Sequence, residues 1–172
     1  MGPKDTWSDR LNSVLLDTSF LICLSSPSRP HHRIAKQYFQ RFIAAEVTMH
    51  LSTIVVSEYE VRQRIGDLGL GNFIVLPFNI DDAVTTAKIF SVMHAARQTT
   101  DGRDAVKDDA KLLGQCVVGG VTHFATDDGP CARRIAEARG NGTIVGLPHA
   151  ICLQEPFWEG WFSQGNQGTL QL

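Results

Sequence analysis

The sequence predicts an α/β protein, a three-layer α/β/α sandwich on a mainly parallel central sheet. Short apolar runs typical of buried strands alternate along the chain with longer segments whose apolar residues recur every three or four positions, as on one face of a helix. The chain has 172 residues and an apolar fraction of 43%, which suit a single folded domain with one core.

The first half of the chain alternates strands with helices. Strands are predicted at residues 13–16, 47–51 and 73–76, and helices at residues 31–46 and about 54–66. Ser52 and Thr53 favour the start of the second helix, because their hydroxyls can accept hydrogen bonds from its first N–H groups. Pro77 ends the third strand, since proline has no N–H to give to a sheet.

The second half continues the same alternation. A helix is predicted from Asp81 and Asp82 to about Arg97, with an inward face made of Val84, Ile89, Val92 and Met93. After a loop at 98–103, a helix at 104–118 ends at Gly119 and Gly120, which can adopt the left-handed conformation found at helix ends. A strand at 121–126, a helix at 130–138 and a strand at 143–147 complete the predicted fold.

Composition divides the chain into three parts. Residues 1–12 form a polar leader and residues 13–150 the folded domain, whereas residues 151–172 form a C-terminal appendage with Trp158, Trp161 and a polar run. The formal net charge of −2 gives the chain no general attraction for phosphate backbones.

Cysteine spacing and hydropathy exclude several classes of protein. The four cysteines include no CxxC pair, so zinc-ribbon and thioredoxin-type sites are not indicated. The first apolar run is too short for a secretory signal, and no run is long enough to cross a bilayer. We therefore expect a cytoplasmic protein with free thiols and no membrane partner.

Two groups of acidic residues directly follow predicted strands. Asp17 comes after the strand at 13–16, and Asp127 and Asp128 come after the strand at 121–126. The carboxyl ends of parallel strands are where open α/β sheets form ligand sites. Either Asp127 or Asp128 could point into such a site while the other caps the next helix.

Two further acids interrupt apolar helix faces. Glu58 shares its predicted face with Ile54, Val61 and Ile65, where an ionised group loses solvation unless it has a partner. Such a partner could be an arginine or lysine at the rim. Asp109 lies in the same way on the apolar face of its helix, which carries Ala105, Val106, Leu112, Leu113 and Cys116.

If these four elements meet at one edge of the sheet, several carboxylates share a small volume and need a counter-charge. Oxygen ligands without clustered histidines suit Mg²⁺ or Mn²⁺ rather than zinc. The sequence therefore predicts a divalent-cation site made by Asp17, Glu58, Asp109 and either Asp127 or Asp128, with Asp128 preferred as the fourth acid. Ser19 and Thr126 are expected to orient these ligands.

The four acidic segments resemble the four motifs of PIN-domain ribonucleases, in the same order and over residues 13–147. The segments are Val14-Leu15-Leu16-Asp17-Thr18-Ser19-Phe20-Leu21, Val55-Val56-Ser57-Glu58, Asp108-Asp109-Ala110-Lys111-Leu112-Leu113-Gly114-Gln115-Cys116 and Phe124-Ala125-Thr126-Asp127-Asp128. The resemblance implies a PIN-like fold and a metal-dependent endoribonuclease that acts on RNA. The chain length is similar to that of VapC-like toxins of toxin–antitoxin pairs, which implies a homodimer and a small antitoxin partner.

Two features depart from the toxin pattern, the Lys111–Gly114 segment in the third motif and the long aromatic tail. A haloacid-dehalogenase-type phosphatase is disfavoured, because that class needs an aspartate two residues after the first one and this chain has Ser19 there. The other alternative is a PIN-like module that binds RNA or a protein without cutting, through basic residues such as Arg62, Arg64, Arg97, Arg103 and Lys107.

Overall fold

The computed structural model describes residues 10–95 and 103–163. Five parallel strands form one sheet in the order β3-β2-β1-β4-β5. The strands are β1 Ser13–Leu16, β2 Thr48–Ser52, β3 Phe73–Leu76, β4 His123–Thr126 and β5 His149–Cys152. The helices are α1 Thr18–Ser25, α2 His32–Ala44, α3 Thr53–Glu60, α4 Ile80–Ala95, α5 Arg103–Gly119, α6 Gly129–Gly140 and α7 Gly160–Ser163, and short 3₁₀ turns span Ile65–Leu68 and Leu70–Asn72.

The fold class predicted from the sequence is confirmed: the protein is a three-layer α/β/α sandwich, and its sheet is parallel throughout the described residues. β1 and β3 have the predicted bounds, and the predicted helices are observed, but the helix predicted at about 54–66 was too long, because α3 ends at Glu60. Of the predicted loop at 98–103, residues 98–102 lie outside the described residues, and Arg103 already begins α5.

The predicted strand at 143–147 was wrong, because the last strand of the sheet is β5. Gly142 and Gly146 have positive φ values of 63° and 84°, so the backbone turns on both sides of Val145, which is 88% exposed. The chain becomes extended only after Pro148, where Ile151 enters the core. The predicted boundary at residue 150 therefore falls within β5.

Helix α1 was not predicted. Its sequence is apolar on nearly every side apart from Thr18, Ser19 and Ser25, so no helical period marks it. Asp17 caps it, accepting a hydrogen bond at Oδ1 from the Thr18 backbone N–H at 2.7 Å. On α4, Ile89 and Met93 face the core as predicted, whereas Val84 is 55% exposed and was wrongly placed inward.

The centre of the sheet is buried. Every residue of β4 is buried, and so are residues Val14, Leu15 and Leu16 of β1. Aromatic side chains of α1 and α2, including Phe20, Tyr38 and Phe42, cover one side of the sheet. Burial of large apolar side chains stabilises these central strands most strongly. The residues that directly follow the strands are therefore held in fixed positions.

Helix α5 is held against two neighbours. At Gly114 it approaches α4 so closely that a Cβ atom would lie 2.9 Å from the Asp82 carbonyl oxygen. One residue later, the buried Gln115 amide accepts from Ser52 Oγ at 2.5 Å and donates to the Leu76 carbonyl at 3.0 Å. The Gln115 hydrogen bonds tie α5 to the ends of β2 and β3, and Ser52 also caps α3 through the Ile54 N–H.

The segment after β5 packs back on the domain. Leu153 is fully buried, and Phe157 lies against Tyr38 with ring centroids 4.7 Å apart. Trp161 contacts His123 at the beginning of β4, with a centroid distance of 5.0 Å. Across the described helices, none has both the length and the apolar character that a bilayer crossing requires.

Candidate active site

An open acidic cleft of about 460 Å³ lies at the carboxyl ends of the central strands. All five acids predicted from the sequence line it. The lining residues are Asp17, Thr18, Ser19, Ile22, Arg29, Glu58, Arg62, Asp108, Asp109, Leu112, Asp127 and Asp128. Two clefts of similar size, about 510 and 570 Å³, lie elsewhere and contain none of the predicted acids. The concentration of carboxylates, not the volume, distinguishes the acidic cleft.

Asp17 is the best-fixed acid of the cleft. Its backbone N–H donates to the Ala125 carbonyl at 3.0 Å, which continues the pairing of β1 with β4. Its Oδ2 accepts from Ser19 Oγ at 2.6 Å and from Thr126 Oγ1 at 2.8 Å. Since Oδ1 caps α1, both carboxylate oxygens have defined directions before any ligand arrives.

The hydroxyls beside Asp17 also hold the loop after β4. Ser19 Oγ accepts from the Asp127 N–H at 2.9 Å, and Thr126 Oγ1 accepts from the Asp128 N–H at 3.0 Å. Each hydroxyl thus connects the Asp17 carboxylate to the backbone of an acid from the fourth motif. Ser19 and Thr126 make the contacts that their predicted role of orienting the acids requires.

Glu58 is half-buried and reaches the cleft from the edge of α3 rather than from a fully buried stripe. The buried residues of that helix are Val55 and Tyr59, and Val61, which was predicted to share the face of Glu58, is 82% exposed. Glu58 Oε2 accepts a hydrogen bond from Thr18 Oγ1 at the start of α1. The glutamate therefore lies beside Asp17, and its side-chain partner is a hydroxyl rather than the rim cation considered above.

Asp109 lies on the apolar face of α5, as predicted, and its side chain is 15% exposed. It has a partner that the sequence reading did not identify. Arg134 of α6 donates from Nη2 to Asp109 Oδ2 at 2.5 Å, and the arginine side chain is only 1% exposed. A buried cation thus lies among the acids of the cleft.

The two adjacent aspartates after β4 have different surroundings. Asp127 is engaged away from Asp17, with Oδ1 2.6 Å from His31 Nδ1 and Oδ2 accepting from Cys23 Sγ at 3.0 Å. Asp128 caps α6 by accepting from the Cys131 N–H at 2.9 Å, and its charge acts on Asp17 and Asp109. This difference favours Asp128 as the fourth acid.

The acids of the cleft influence one another electrostatically. Burial is the main reason that the pKa of the Asp109 carboxyl is raised to about 6; the charges of Asp17 and Asp128 act in the same direction, and Arg134 opposes them. Burial also raises the pKa of Asp17, and that of Glu58 is raised by burial and by the charges of Asp17 and Asp108. The ionised forms are therefore destabilised, as in sites that recruit a cation.

The donor set fits a hard divalent cation in chemical type, because every candidate ligand is a carboxylate oxygen. Among the described residues, no three His, Cys, Asp or Glu side chains form a ready-made metal cage. Mg²⁺ and Mn²⁺ prefer oxygen donors of this kind, whereas zinc sites usually include histidine or cysteine. The residues that would hold such an ion are Asp17, Glu58 and Asp109, with Asp128 beside them.

Sequence reasoning missed Arg134 and Arg29. Arg134 could have been found by the test that identified Asp109, because it lies at helical spacing among Cys131, Ile135 and Ala138, which are all buried. Arg29 is exposed in the connection between α1 and α2, where no local pattern distinguishes it from an ordinary surface charge.

Comparison with known proteins identifies solved structures that share this fold. No protein-family model matches the chain, and no curated protein matches it either. Solved structures do match. A chain of FitAB bound to a DNA fragment is 19% identical with a TM-score of 0.56, and the match covers 83% of this chain and 96% of that one. A chain of VapBC2 from Rickettsia felis, bound to a fragment of promoter DNA, is 11% identical with a TM-score of 0.52 and covers 81% of this chain and 98% of its own length.

A chain of FitAcB from Neisseria gonorrhoeae is 19% identical with a TM-score of 0.55, covering 83% of this chain and 99% of that one. The fold of this chain is PIN-like and is shared with the matching chains. The resemblance that the four motifs indicated is therefore confirmed at the level of the fold, and because the identities are low it goes no further than the fold.

Proposed function

We propose that this protein is a metal-dependent endoribonuclease that hydrolyses phosphodiester bonds of RNA in the acidic cleft. The observation that supports this most directly is the meeting of Asp17, Glu58, Asp109 and Asp128, which come from four separate elements, in one cleft of a PIN fold. Structural stability alone gives no reason to gather acids whose ionised forms are destabilised there.

Asp17, Glu58, Asp109 and Asp128 are the residues that would hold Mg²⁺ or Mn²⁺, with Asp127 beside them. A divalent cation bound there supplies the positive charge that the phosphoryl transition state needs. Ser19 and Thr126 keep Asp17 oriented, so its ligand geometry requires little rearrangement on binding.

The RNA backbone needs its own contacts, because the chain carries a net charge of −2. Arg29 and Arg62 are exposed and line the rim of the acidic cleft. Guanidinium groups bind phosphate oxygens in bidentate fashion. These two arginines are suited to hold the phosphates that flank the scissile bond, while the carboxylates lie beneath it.

The decisive assay is cleavage of a labelled RNA by the purified chain. We expect cleavage with Mn²⁺ or Mg²⁺, none in EDTA, and none by the Glu58→Gln variant with either ion. Glu60→Gln is the matched control, since it removes an exposed carboxylate two residues away on the same helix. Full activity in EDTA or in Glu58→Gln would contradict the proposal.

We also propose that the chain is the toxin of a toxin–antitoxin pair, a cytoplasmic homodimer neutralised by a small protein. The support is that FitAB, VapBC2 and FitAcB are two-component complexes whose matching chains have this fold. Co-expression with the product of a small neighbouring reading frame should yield a stable complex that no longer cuts RNA. If no such product suppresses cleavage, the antitoxin assignment fails while the nuclease assignment remains.

One observation favours the alternative of a PIN-like module that binds RNA or protein without cutting. Asp109 is already paired with Arg134, and the described residues form no closed metal cage. A module of this kind would bind RNA equally well with Mn²⁺ and with EDTA and would leave it intact. The cleavage assay therefore also separates these two functions.

A further inference from the structure

Arg134 is the least expected residue of the cleft. It belongs to α6 and points to the same side of that helix as the core residues Cys131, Ile135 and Ala138. Its side chain is 1% exposed, and its Nη2 lies 2.5 Å from Asp109 Oδ2. Its neighbour Arg133 instead pairs with Glu137 on the outer surface, at 2.9 Å.

An arginine in this position acts as a permanent charge. A guanidinium does not lose its proton in proteins, so Arg134 remains a cation at every pH at which the protein is folded. Burying it is unfavourable unless carboxylates balance it. Asp109 supplies that balance, and the charges of Asp17 and Asp128 also act on the Asp109 carboxylate. Arg134 is therefore part of the charge balance of the acidic cleft and not only a local ion pair.

Resting on the proposed function, we infer that Arg134 is a built-in cation that limits the acidic cleft to one divalent metal ion per chain. With one divalent cation bound, the formal charge of the acidic cleft is −1, counting its six carboxylates against Arg29, Arg62 and Arg134. A second divalent cation would reverse the sign of that charge in a half-buried cleft, where like charges repel strongly. Arg134 would thus hold Asp109 in place and take the role of the second ion.

The test counts bound Mn²⁺ by electron paramagnetic resonance of the free ion, without RNA. We expect the wild-type chain to bind one Mn²⁺. Arg134→Met, which keeps the length but removes the charge, should bind a second ion or bind the first at least about tenfold more tightly, because one repelling charge has been removed. Arg133→Met removes the adjacent surface charge and Arg134→Lys keeps the buried one, so both should bind one ion with wild-type affinity.

A wild-type chain that binds two ions, or none, overturns the inference. So does an Arg134→Met variant with the stoichiometry and affinity of Arg133→Met. If Arg134→Met does not fold, as judged by circular dichroism, Arg134→Gln removes the same charge while it can still donate to Asp109, and the same outcomes decide. The readout is independent of catalysis: a chain that shows this Mn²⁺ pattern but cuts no RNA contradicts the nuclease function and leaves the role of Arg134 intact.

Discussion

The two ends of strand β4 bury polar residues in opposite ways. At its beginning, His123 is fully buried, stacks on His149 at 5.2 Å between ring centroids and meets the edge of Trp161 at 5.0 Å. At its end, the buried Thr126 donates to Asp17, and the next two residues, Asp127 and Asp128, line the acidic cleft. Only Phe124 and Ala125 of this four-residue strand thus lie between the aromatic cluster and the residues that contact the acids.

The comparison shows which polar groups serve the fold. The rings around His123 cover one another, and His149 Nε2 lies 2.8 Å from Arg139 Nη2, so the aromatic end is stabilised by its own contacts. At the acidic end, burial and neighbouring charges raise the pKa values of Asp17, Glu58 and Asp109. Substitutions at the aromatic end should therefore lower stability and leave activity unchanged. Substitutions of the acids should lower activity without lowering stability.

The largest expected effect is that of Asp17→Asn on cleavage. Activity should fall by roughly a thousandfold, because a ligand of the cation is lost. The melting temperature should stay equal or rise, because Asn buries no charge, can still accept from the Thr18 N–H, and can donate to the Ser19 and Thr126 hydroxyls once these rotate. Asp67→Asn is the control, since it removes an exposed charge outside the acidic cleft. A strong destabilisation by Asp17→Asn would mean that Asp17 is a structural residue.

Stability of the metal-free protein should fall as pH rises between about 4 and 6. The folded-state pKa of Asp109 is about 6, against an ordinary value of 3.8, so the folded protein binds this proton more tightly than the unfolded chain does. The stabilisation is complete below the ordinary value and is lost as pH rises through the folded value, by on the order of 2 to 3 kcal/mol. Urea denaturation of wild type and Asp109→Asn across this range measures it, and equal slopes would refute the assignment.

At the aromatic end, Trp161→Ala should lower the free energy of unfolding by about 2 kcal/mol, because contacts with His123 and His149 are lost. Cleavage per folded molecule should be unchanged. Trp158→Ala is the matched control with a smaller effect, since Trp158 is 51% exposed. A loss of activity in Trp161→Ala without a loss of stability would contradict the assignment of the aromatic end to stability and the acidic end to activity.

The fold was predictable because strand and helix periods are local properties of the sequence. The predictions of individual elements failed where that local signal is absent or misleading. Helix α1 is apolar all round and so has no period, and the apolar run around Val145 reads as a strand although positive φ values at Gly142 and Gly146 turn the chain. Both errors concern tertiary context that no window of residues contains.

The candidate site was predictable as a set of residues but not as a set of contacts. Glu58 was selected as a member of a buried stripe, yet Val61 of that stripe is exposed and Glu58 lies at the border. The direction of the Asp127 carboxylate depends on His31 and Cys23, which lie about a hundred residues earlier in the chain. Pairing across that separation leaves no periodic trace in the sequence.

Analysis of the ends of a cleaved RNA tests the central claim most directly. If the acidic cleft directs water at the phosphate, the products carry 5′-phosphate and 3′-hydroxyl ends, form only with Mg²⁺ or Mn²⁺, and form equally well in His31→Ala, a change next to the cleft that removes no predicted ligand. Products that end in a 2′,3′-cyclic phosphate, or cleavage that continues in EDTA, would show that the ribose hydroxyl is the nucleophile or that no ion is needed, and would contradict the account.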